Sequence, residues 1–368
     1  MLNTNTHSSV ENLVGLVPSE APIQRQKPEV SKVVPILHGA PALTIEEGHK
    51  HGRLRGLYRI TSVLLKTAKN GEPFVVIRLS DATGDIDGIV WPERKAFEWI
   101  PPYQNSFHAT VYVEAELRCF NSKRSNTVRF YQAHVSSMTA LIKKIRYAKK
   151  EEVKQLPALT TIPKLYCPNP AVFDQLIATA RNINDVPLRS FLSDVLTQAT
   201  VFKSFLQAPA STKYHHAYPG GLLEHSLEVT CIIDGIKLYR SATEQEIALV
   251  AGLLHDIGKI RSYTGTGALS LNARLTDHNA QTLEICASGL EELEKVKPAY
   301  AEALRHIWTC SSPGARYGQP AKLSIAHVVR AADKISSEFA NESIAFAAQN
   351  NKAAKVARVG QAEYCRIF

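Results

Sequence analysis

The sequence lacks the features of a disulfide-rich secreted protein, of a zinc ribbon and of a membrane-spanning protein. Its 6 cysteines are scattered along 368 residues without a Cys-x-x-Cys pair, which predicts reduced thiols and no structural zinc site of that type. No apolar run is long enough to cross a bilayer, and the first residues lack the basic-then-apolar order of a signal peptide. We therefore expect a cytoplasmic protein without a membrane partner.

Size and composition predict two ordered domains and a basic surface. The chain has 368 residues, of which 45% are hydrophobic and 21% charged. Lysine and arginine number 43 against 34 acidic residues, and the net charge of +9 favours a polyanionic partner such as nucleic acid. The sequence contains no internal repeat and no low-complexity tract, and it leaves a homo-oligomer open.

The residue pattern changes along the chain from strand-like to helical. We predict a polar lead-in over 1–51, a small β-barrel domain over 52–140, a basic and proline-bearing linker over 141–168, a helical bundle over 169–345 and a C-terminal tail over 346–368. The expected fold class is α+β and multidomain, with the small barrel preceding an all-α bundle.

Short β-like runs separated by turns occupy the first domain. Asn70 and Gly71 form a strong hairpin-turn signal between two of them. The predicted strands cover 58–65, 74–79, 85–91, 110–117 and 127–135. This number and spacing of strands favours an OB-fold, a five-stranded barrel that often binds oligonucleotides.

Four side chains of the barrel are candidates for contacts with single-stranded RNA or DNA. Alternation places Phe130 and Tyr131 on opposite faces, so at least one of them faces outward, where stacking on a base contributes about 1–3 kcal/mol. Arg78 and Arg129 are expected to contact phosphates. The alternative interpretation is that the aromatic residues only fill the barrel core.

Polar side chains interrupt the apolar faces of the helical part. His225 follows the break at Gly220 and Gly221 and shares a face with Leu222 and Val229, so we expect it to point into the core.

Two carboxylates also fall on apolar surfaces. His255 and Asp256 lie within 247–260, which is apolar almost all round and is predicted to be one buried helix, while Asp333 shares a stripe with Ala326 and Val329. Burying an ionised carboxylate costs several kcal/mol unless a cation compensates it. A divalent metal is the simplest compensation.

The predicted ligand set consists of His225, His255, Asp256 and Asp333 and contains no thiolate. Such a set suits octahedral Mn²⁺, our first choice, or Mg²⁺, Fe²⁺ or Ni²⁺, with positions left for water and substrate. A metal that activates water and polarises a phosphoryl oxygen promotes phosphoester hydrolysis, in which we expect Asp256 also to orient the attacking water. A single histidine on an apolar face is usually a core residue, but this combination favours the metal.

Five further residues are candidates for the same site. We expect Lys259 and His278 to stabilise phosphate charge, although Lys259 could simply extend from a helix end. His278 and His306 are additional candidate metal ligands. His215 and His216 are candidate substrate contacts, with packing under the glycine turn as the alternative.

These residues resemble the HD superfamily, whose pattern is His…His-Asp…Asp on a helical bundle. His225, His255, Asp256 and Asp333 match it in order, and 254–259 (Leu-His-Asp-Ile-Gly-Lys) is a specific version of its central motif. The resemblance covers roughly residues 200–340 and implies a metal-dependent phosphohydrolase.

Two subfamilies are similar in detail. The YhaM-type 3′→5′ exoribonucleases place an OB-fold before the HD domain, and 69–74, 79–86 and the His215–Leu222 region look like theirs. Segment 214–225 is also similar to TraI-type relaxases of the MobH class, except that Tyr214 replaces their first histidine. Where the YhaM type carries a His-His pair, this chain has Ser311 and Ser312, which favours a one-metal site.

The sequence thus predicts a metal-dependent phosphodiesterase on single-stranded nucleic acid, acting as a 3′→5′ exonuclease on RNA or DNA. The alternatives are a relaxase-related DNA-processing protein of a mobile element, a nucleotide phosphohydrolase, and a non-catalytic nucleic-acid-binding module with a decayed HD site.

Overall fold

A computed structural model describes most of the chain. The described residues are 42–92, 109–119, 138–149, 152, 156–263, 268–311, 316, 318–349 and 355–367. Within them a barrel of strands precedes a bundle of helices, so the predicted fold class is confirmed.

Five strands form a closed barrel in the order β1–β2–β3–β5–β4. Their bounds are β1 Arg53–Thr67, β2 Pro73–Ser80, β3 Asp85–Val90, β4 Thr110–Cys119 and β5 Met138–Tyr147. All pairs are antiparallel except β3–β5, which is parallel. Inward apolar side chains such as Tyr58, Ile77 and Val113 are fully buried, because alternation sends every second residue of a strand into the barrel.

Turn chemistry sets the first two hairpins. Gly71 has a φ of 84°, which a residue with a Cβ rarely adopts, and the Asn70 side chain accepts a hydrogen bond from the Glu72 amide at 3.3 Å. In the next turn Asp81 Oδ1 accepts hydrogen bonds from the Thr83 and Gly84 amides at 2.7 and 3.1 Å. The turn that the sequence predicts at Asn70 and Gly71 is therefore confirmed.

The strand that completes the barrel differs from the prediction. The predicted fifth strand, 127–135, lies outside the described residues, and β5 runs through the start of the predicted linker. Lys143 and Lys144 are both exposed between buried Ile142 and Ile145, and the register with β4 shifts at this point. This bulge breaks the period of two, so the basic pair looked like linker.

A short helix belongs to the barrel although the predicted lead-in extended to residue 51. Helix α1, Ile45–His51, begins at a capping box formed by Thr44 and Glu47. Ile45 is 2% exposed and packs into the barrel core, and its amide donates to Asp81 Oδ2 at 2.7 Å.

Nine further helices within the described residues surround one apolar core. They are α2 Pro170–Arg181, α3 Val186–Leu196, α4 Phe202–Gln207, α5 Gly221–Gly235, α6 Ala242–Leu254, α7 Leu271–Leu275, α8 His278–Val296, α9 Pro298–Thr309 and α10 Ser324–Ala347. None of the described helices is long and apolar enough to cross a membrane.

The second half of the predicted linker packs into the helical core. Leu159 and Ile162 are 2% and 1% exposed within it, so this segment is part of the bundle. Arg59 of β1 is also buried here: it donates hydrogen bonds to the carbonyls of Thr161 and Thr197 at 3.3 and 3.0 Å and lies over the Phe202 ring. A buried guanidinium thus contributes to the junction of the barrel and the bundle, together with backbone hydrogen bonds from Ala82 to Thr160 and from Lys164 to Asp81.

The predicted C-terminal tail contains a hairpin. Strands β6 Val356–Val359 and β7 Ala362–Cys365 pair with each other and pack on α10. The Tyr364 hydroxyl donates to Glu338 Oε2 of α10 at 2.6 Å.

Candidate metal centre

Helix α5 carries His225 and begins at a tight approach of the backbone. A Cβ on Gly221 would lie 2.1 Å from the carbonyl oxygen of His216, so only glycine allows the preceding loop to rest on this helix start. His225 is 0% exposed and lies among buried Leu222 and Val229, which confirms the prediction that it faces the core.

The sequence suggested that His255 and Asp256 lie within one continuous helix, and this prediction is wrong. Helix α6 ends at Leu254, and Asp256 begins a 3₁₀ turn, Ile257–Arg261. Thr282 of α8 replaces the lost helical hydrogen bonds: its hydroxyl accepts from the Gly258 amide at 3.0 Å and donates to the His255 carbonyl at 3.3 Å. The turn places the side chains of His255 and Asp256 side by side.

Side chains from three segments converge at the end of α6. The Nε2 atom of His225 lies 3.1 Å from Asp333 Oδ1 and 3.7 Å from Asp256 Oδ2. The Nε2 atom of His255 lies 3.4 Å from Asp256 Oδ2 and 3.7 Å from Asp333 Oδ1. The four predicted ligands are therefore brought together.

The arrangement fits a divalent cation. Both Nε2 atoms are buried and make no well-directed hydrogen bond to the described residues, although carboxylate oxygens lie close to each. His255 Nδ1 donates to the Gly252 carbonyl at 2.7 Å, so the ring presents Nε2 to the cluster. His225, His255 and Asp256 have ligand atoms within 4.8 Å of one another, and nitrogen and oxygen donors without thiolate suit Mn²⁺ and similar ions.

Positive charge on the protein already balances these carboxylates. Burial alone would raise the pKa of Asp256, but His255 and Lys259 hold it well below its usual value. Burial alone would lower the pKa of His255, but the neighbouring Asp256 carboxylate raises it to about 10. The pKa of Asp333 is also lowered against burial, by the nearby imidazoles of His225 and His255. Both acids are therefore ionised, and their oxygens are available as metal ligands.

Lys259 and His278 both contact Asp256. Lys259 Nζ lies 2.6 Å from Asp256 Oδ2, and His278 Nε2 lies 3.3 Å from Oδ1. Asp277 caps the helix that His278 begins, and its side chain accepts a hydrogen bond from the Asn279 amide at 2.7 Å. His278 is 38% exposed and Asp333 41%, so the centre opens to solvent on their side.

His215 and His216 lie beside His225 with different surroundings. The His215 ring is centred 5.3 Å from that of His225, and burial with the charge of His225 lowers the pKa of His215 to about 4, so its ring is neutral. His216 has a φ of 52°, an unusual value for a residue with a Cβ, and its Nε2 lies 3.1 Å from Glu228 Oε1.

Sequence reasoning identified neither Glu228 nor Ser336 as part of the site. Ser336 Oγ donates to Glu228 Oε2 at 2.6 Å and lies 2.9 Å from His225 Nδ1. Helical spacing is the signal that could have identified these two residues. Glu228 lies about one helical turn after His225, and Ser336 lies about one turn after Asp333.

The remaining candidates lie apart from this cluster or are already engaged. His306 Nε2 accepts a hydrogen bond from the Lys322 amide at 2.9 Å, so this nitrogen has a structural partner. Arg78 on the barrel pairs with Asp87 and Asp85 at 2.8 and 3.5 Å. Three predicted nucleic-acid contacts lie outside the described residues: Arg129, Phe130 and Tyr131.

Comparison with known proteins identifies the helical region. Residues 222–338 match the family model described as HD domain, and this segment contains all four converging ligands. HD domains are typically metal-dependent phosphohydrolases that bind divalent metals. A solved structure from Leishmania major Friedlin, assigned as an aspartyl-tRNA synthetase, is similar at 10% identity over 63% of this chain and 51% of that one, with a TM-score of 0.20. The chain spans about half of that protein's length, and so weak a likeness carries no argument.

Proposed function

We propose that this chain is a metal-dependent phosphodiesterase that removes nucleotides from the 3′ end of single-stranded RNA or DNA. The premise is a match to the HD domain family that follows a closed five-stranded barrel. The observation that carries the hydrolytic part is the convergence of two buried imidazole nitrogens and two carboxylates. The substrate and direction rest on the barrel and on the likeness to YhaM-type exoribonucleases.

The proposed mechanism assigns a role to each side chain of the centre. His225, His255, Asp256 and Asp333 hold the ion, for which Mn²⁺ is our first choice. When bound, a divalent ion polarises a phosphoryl oxygen and makes water more acidic. Asp256 also accepts a hydrogen bond from the attacking water and so orients it towards phosphorus.

Two cationic or polar groups face the phosphate. Lys259 Nζ, 2.6 Å from Asp256, places a positive charge where negative charge develops in the transition state. His278 lies on the solvent side of Asp256 and contacts the phosphate oxygens of the incoming strand. Burial of the site, with Asp256 at 4% exposure, strengthens these electrostatic contributions.

The outer face of the barrel offers a stacking surface for bases. Phe74 and Trp91 are partly exposed and stack on each other, with ring centroids 5.0 Å apart and an interplanar angle of 30°. Lys66 is the strand partner of Phe74, and Leu64 in the same strand is 52% exposed. Aromatic rings beside a lysine favour single-stranded nucleic acid, because every base has a π-face and every linkage a phosphate.

The decisive experiment is a time course on 5′-labelled single-stranded RNA and DNA with Mn²⁺. We expect a ladder of progressively shorter labelled products from the native protein and none from Asp256→Ala. Asp234→Asn, which removes an exposed carboxylate near the end of α5, is the matched control and should retain full activity.

Three other outcomes would contradict parts of the proposal. Full activity of Asp256→Ala would exclude this centre as the catalytic one. A single discrete product would indicate a site-specific nickase of the relaxase type. Hydrolysis of free nucleotides with intact strands would replace the exonuclease by a nucleotide phosphohydrolase.

The role of the barrel has a separate test. Phe74→Ala should weaken binding of single-stranded oligonucleotides by about tenfold, since loss of one stacked base contact costs about 1–3 kcal/mol. Hydrolysis of a dinucleotide, which offers few bases for stacking, should change less than hydrolysis of a longer strand. Phe339→Ala, which removes an aromatic residue that is 70% exposed on α10, serves as control in fluorescence anisotropy. Equal affinities for all three proteins would remove this face from the substrate path.

A further inference from the structure

A chain of hydrogen bonds leads from His225 away from the metal centre to the protein surface. His225 Nδ1 lies 2.9 Å from Ser336 Oγ, Ser336 Oγ lies 2.6 Å from Glu228 Oε2, and Glu228 Oε1 lies 3.1 Å from His216 Nε2. His225 is 0% exposed whereas the Glu228 side chain is 44% exposed, so the chain crosses from core to solvent.

The direction of these hydrogen bonds follows from the chemistry of Glu228. An ionised carboxylate can only accept, and the pKa of Glu228 is lowered, against its partial burial, by hydrogen bonds from His216 and Ser336. Ser336 must therefore give its single proton to Glu228. Its oxygen is then left as an acceptor, and His225 Nδ1 must be the donor.

The Nδ1 atoms of the two histidine ligands are thus engaged by different means. A backbone carbonyl, that of Gly252, can only accept and fixes His255 without assistance. A serine hydroxyl can donate or accept, so Ser336 alone would leave His225 undetermined. Only the carboxylate behind Ser336 commits His225 to carry its proton on Nδ1 and to present a lone pair on Nε2.

We infer that Glu228 and Ser336 are positioning residues that fix the tautomer of His225 for metal binding, with His216 anchoring Glu228. This inference rests on the proposed metal-dependent function. It also assigns His216 a role behind the ligand instead of the substrate contact expected from the sequence. The unusual φ of His216, 52°, is held by the contact of its carbonyl with Gly221 and by a hydrogen bond from the Ala210 amide at 3.0 Å.

The most informative change is Glu228→Gln, which keeps the shape of the side chain. A glutamine amide can donate to Ser336, which frees the serine proton for His225 Nδ1 and moves the imidazole proton to Nε2, the metal-facing atom. Loss of such an outer hydrogen-bond partner lowers metal affinity by about 10–100-fold. We expect this loss for Mn²⁺ in isothermal titration calorimetry, and a comparable one for Ser336→Ala.

Asp234→Asn is the matched control, because it removes one negative charge from the same helix, and the Asp234 side chain accepts a hydrogen bond from Gln245, away from Glu228 and Ser336. It should bind Mn²⁺ as the native protein does. Equal affinity of Glu228→Gln and the native protein would overturn the inference.

A second measurement is independent of the metal. Long-range ¹H–¹⁵N spectra of histidine-labelled, metal-free protein report which ring nitrogen carries the proton, and His225→Gln assigns the signal among 13 histidines. We expect an Nδ1-protonated ring in the native protein and a shift towards Nε2 protonation in Glu228→Gln. An unchanged tautomer in the variant would refute the positioning role. Native protein with this tautomer but no affinity for Mn²⁺ would instead refute the proposed function.

Discussion

At the scale of single residues, Asp256 is the most heavily engaged carboxylate of the centre. It is 4% exposed and has Lys259, His255 and His278 within 2.6 to 3.4 Å. A buried carboxylate is stable as an anion only if such partners compensate its lost hydration. Asp256, which would attract a cation to the centre, therefore also lowers the stability of the fold whenever one of its partners is lost.

Replacing Lys259 by methionine should lower the free energy of unfolding. Removal of one partner of a buried ion pair leaves the other uncompensated, and because the two histidines remain we expect about 2–3 kcal/mol of lost stability. Urea unfolding in metal-free buffer measures it. Lys295→Met, which breaks an exposed pair with Glu292, should cost less than about 1 kcal/mol. A similar small effect of both substitutions would show that Lys259 does not stabilise Asp256.

Metal binding should appear as thermal stabilisation that depends on Asp333. A ligand that binds only the folded state raises the free energy of unfolding, so Mn²⁺ should raise the Tm of the native protein and excess EDTA should reverse the change. Asp333→Asn loses a charged ligand and should show little shift. Glu338→Gln, five residues later on α10, is the control. An equal shift in Asp333→Asn would place the ion elsewhere.

Residue types in the sequence predicted the candidate ligand set, but they did not predict the residues that contact His225 on its other side. Imidazole and carboxylate on apolar faces are conspicuous, since such groups are costly to bury. Glu228 and Ser336 are ordinary helix-surface residues in sequence, and their contact across α5 and α10 exists only once these helices pack. A contact between segments that are far apart in the sequence leaves no periodic pattern from which it could be predicted.

At the scale of elements, the 3₁₀ turn after α6 depends on one glycine. A Cβ on Gly258 would lie 2.0 Å from the His278 carbonyl oxygen and 2.8 Å from the Thr282 amide nitrogen. Gly258→Ala should therefore push the turn away from α8, with Asp256 and His278 drawn apart. We expect at least tenfold weaker Mn²⁺ binding by calorimetry and about 1–3 kcal/mol of destabilisation from overpacking.

Gly235 supplies the control for this substitution. A Cβ there would meet nothing within 4 Å, and the residue ends α5 without a left-handed φ. Gly235→Ala should leave Mn²⁺ affinity unchanged. If Gly258→Ala also binds Mn²⁺ normally, the close packing of the turn on α8 does not position the ligands.

Elements with an uninterrupted period were predicted well, and those with a local irregularity were not. Strand β3 alternates in burial along its whole length, and β1, β2 and β4 overlap the runs that the sequence predicted. Helix α6 stops at Leu254 without any change in apolar character, because tertiary hydrogen bonds from Thr282 end it. The bulge at Lys143 and Lys144 similarly hid β5, since its partner strand lies outside the local window.

At the scale of the whole molecule, Arg59 joins the barrel to the bundle. Burial lowers its pKa to about 10, and its hydrogen bonds to the carbonyls of Thr161 and Thr197 anchor β1 to two segments of the helical part. Arg59→Met keeps the aliphatic stem but removes these bonds, and hydrogen bonds to a charged group contribute about 1.5–3 kcal/mol.

Calorimetry should detect this loss as separation of the two parts. We expect a single melting transition of the native protein to broaden or split in Arg59→Met, because the barrel and the bundle would unfold less cooperatively. Arg53→Met, at the exposed start of β1, is the control. An unchanged single transition in Arg59→Met would show that other contacts couple the two parts.

The order of the ligands along the chain has a consequence for biosynthesis. His225 leaves the ribosome long before Asp333, which follows it by more than 100 positions on α10. A nascent chain that lacks α10 lacks a carboxylate ligand and also Ser336, the neighbour of His225. The proposed ion therefore cannot be acquired with the full ligand set during early translation, and premature termination within 226–332 would yield a chain with a complete barrel and an incomplete ligand set.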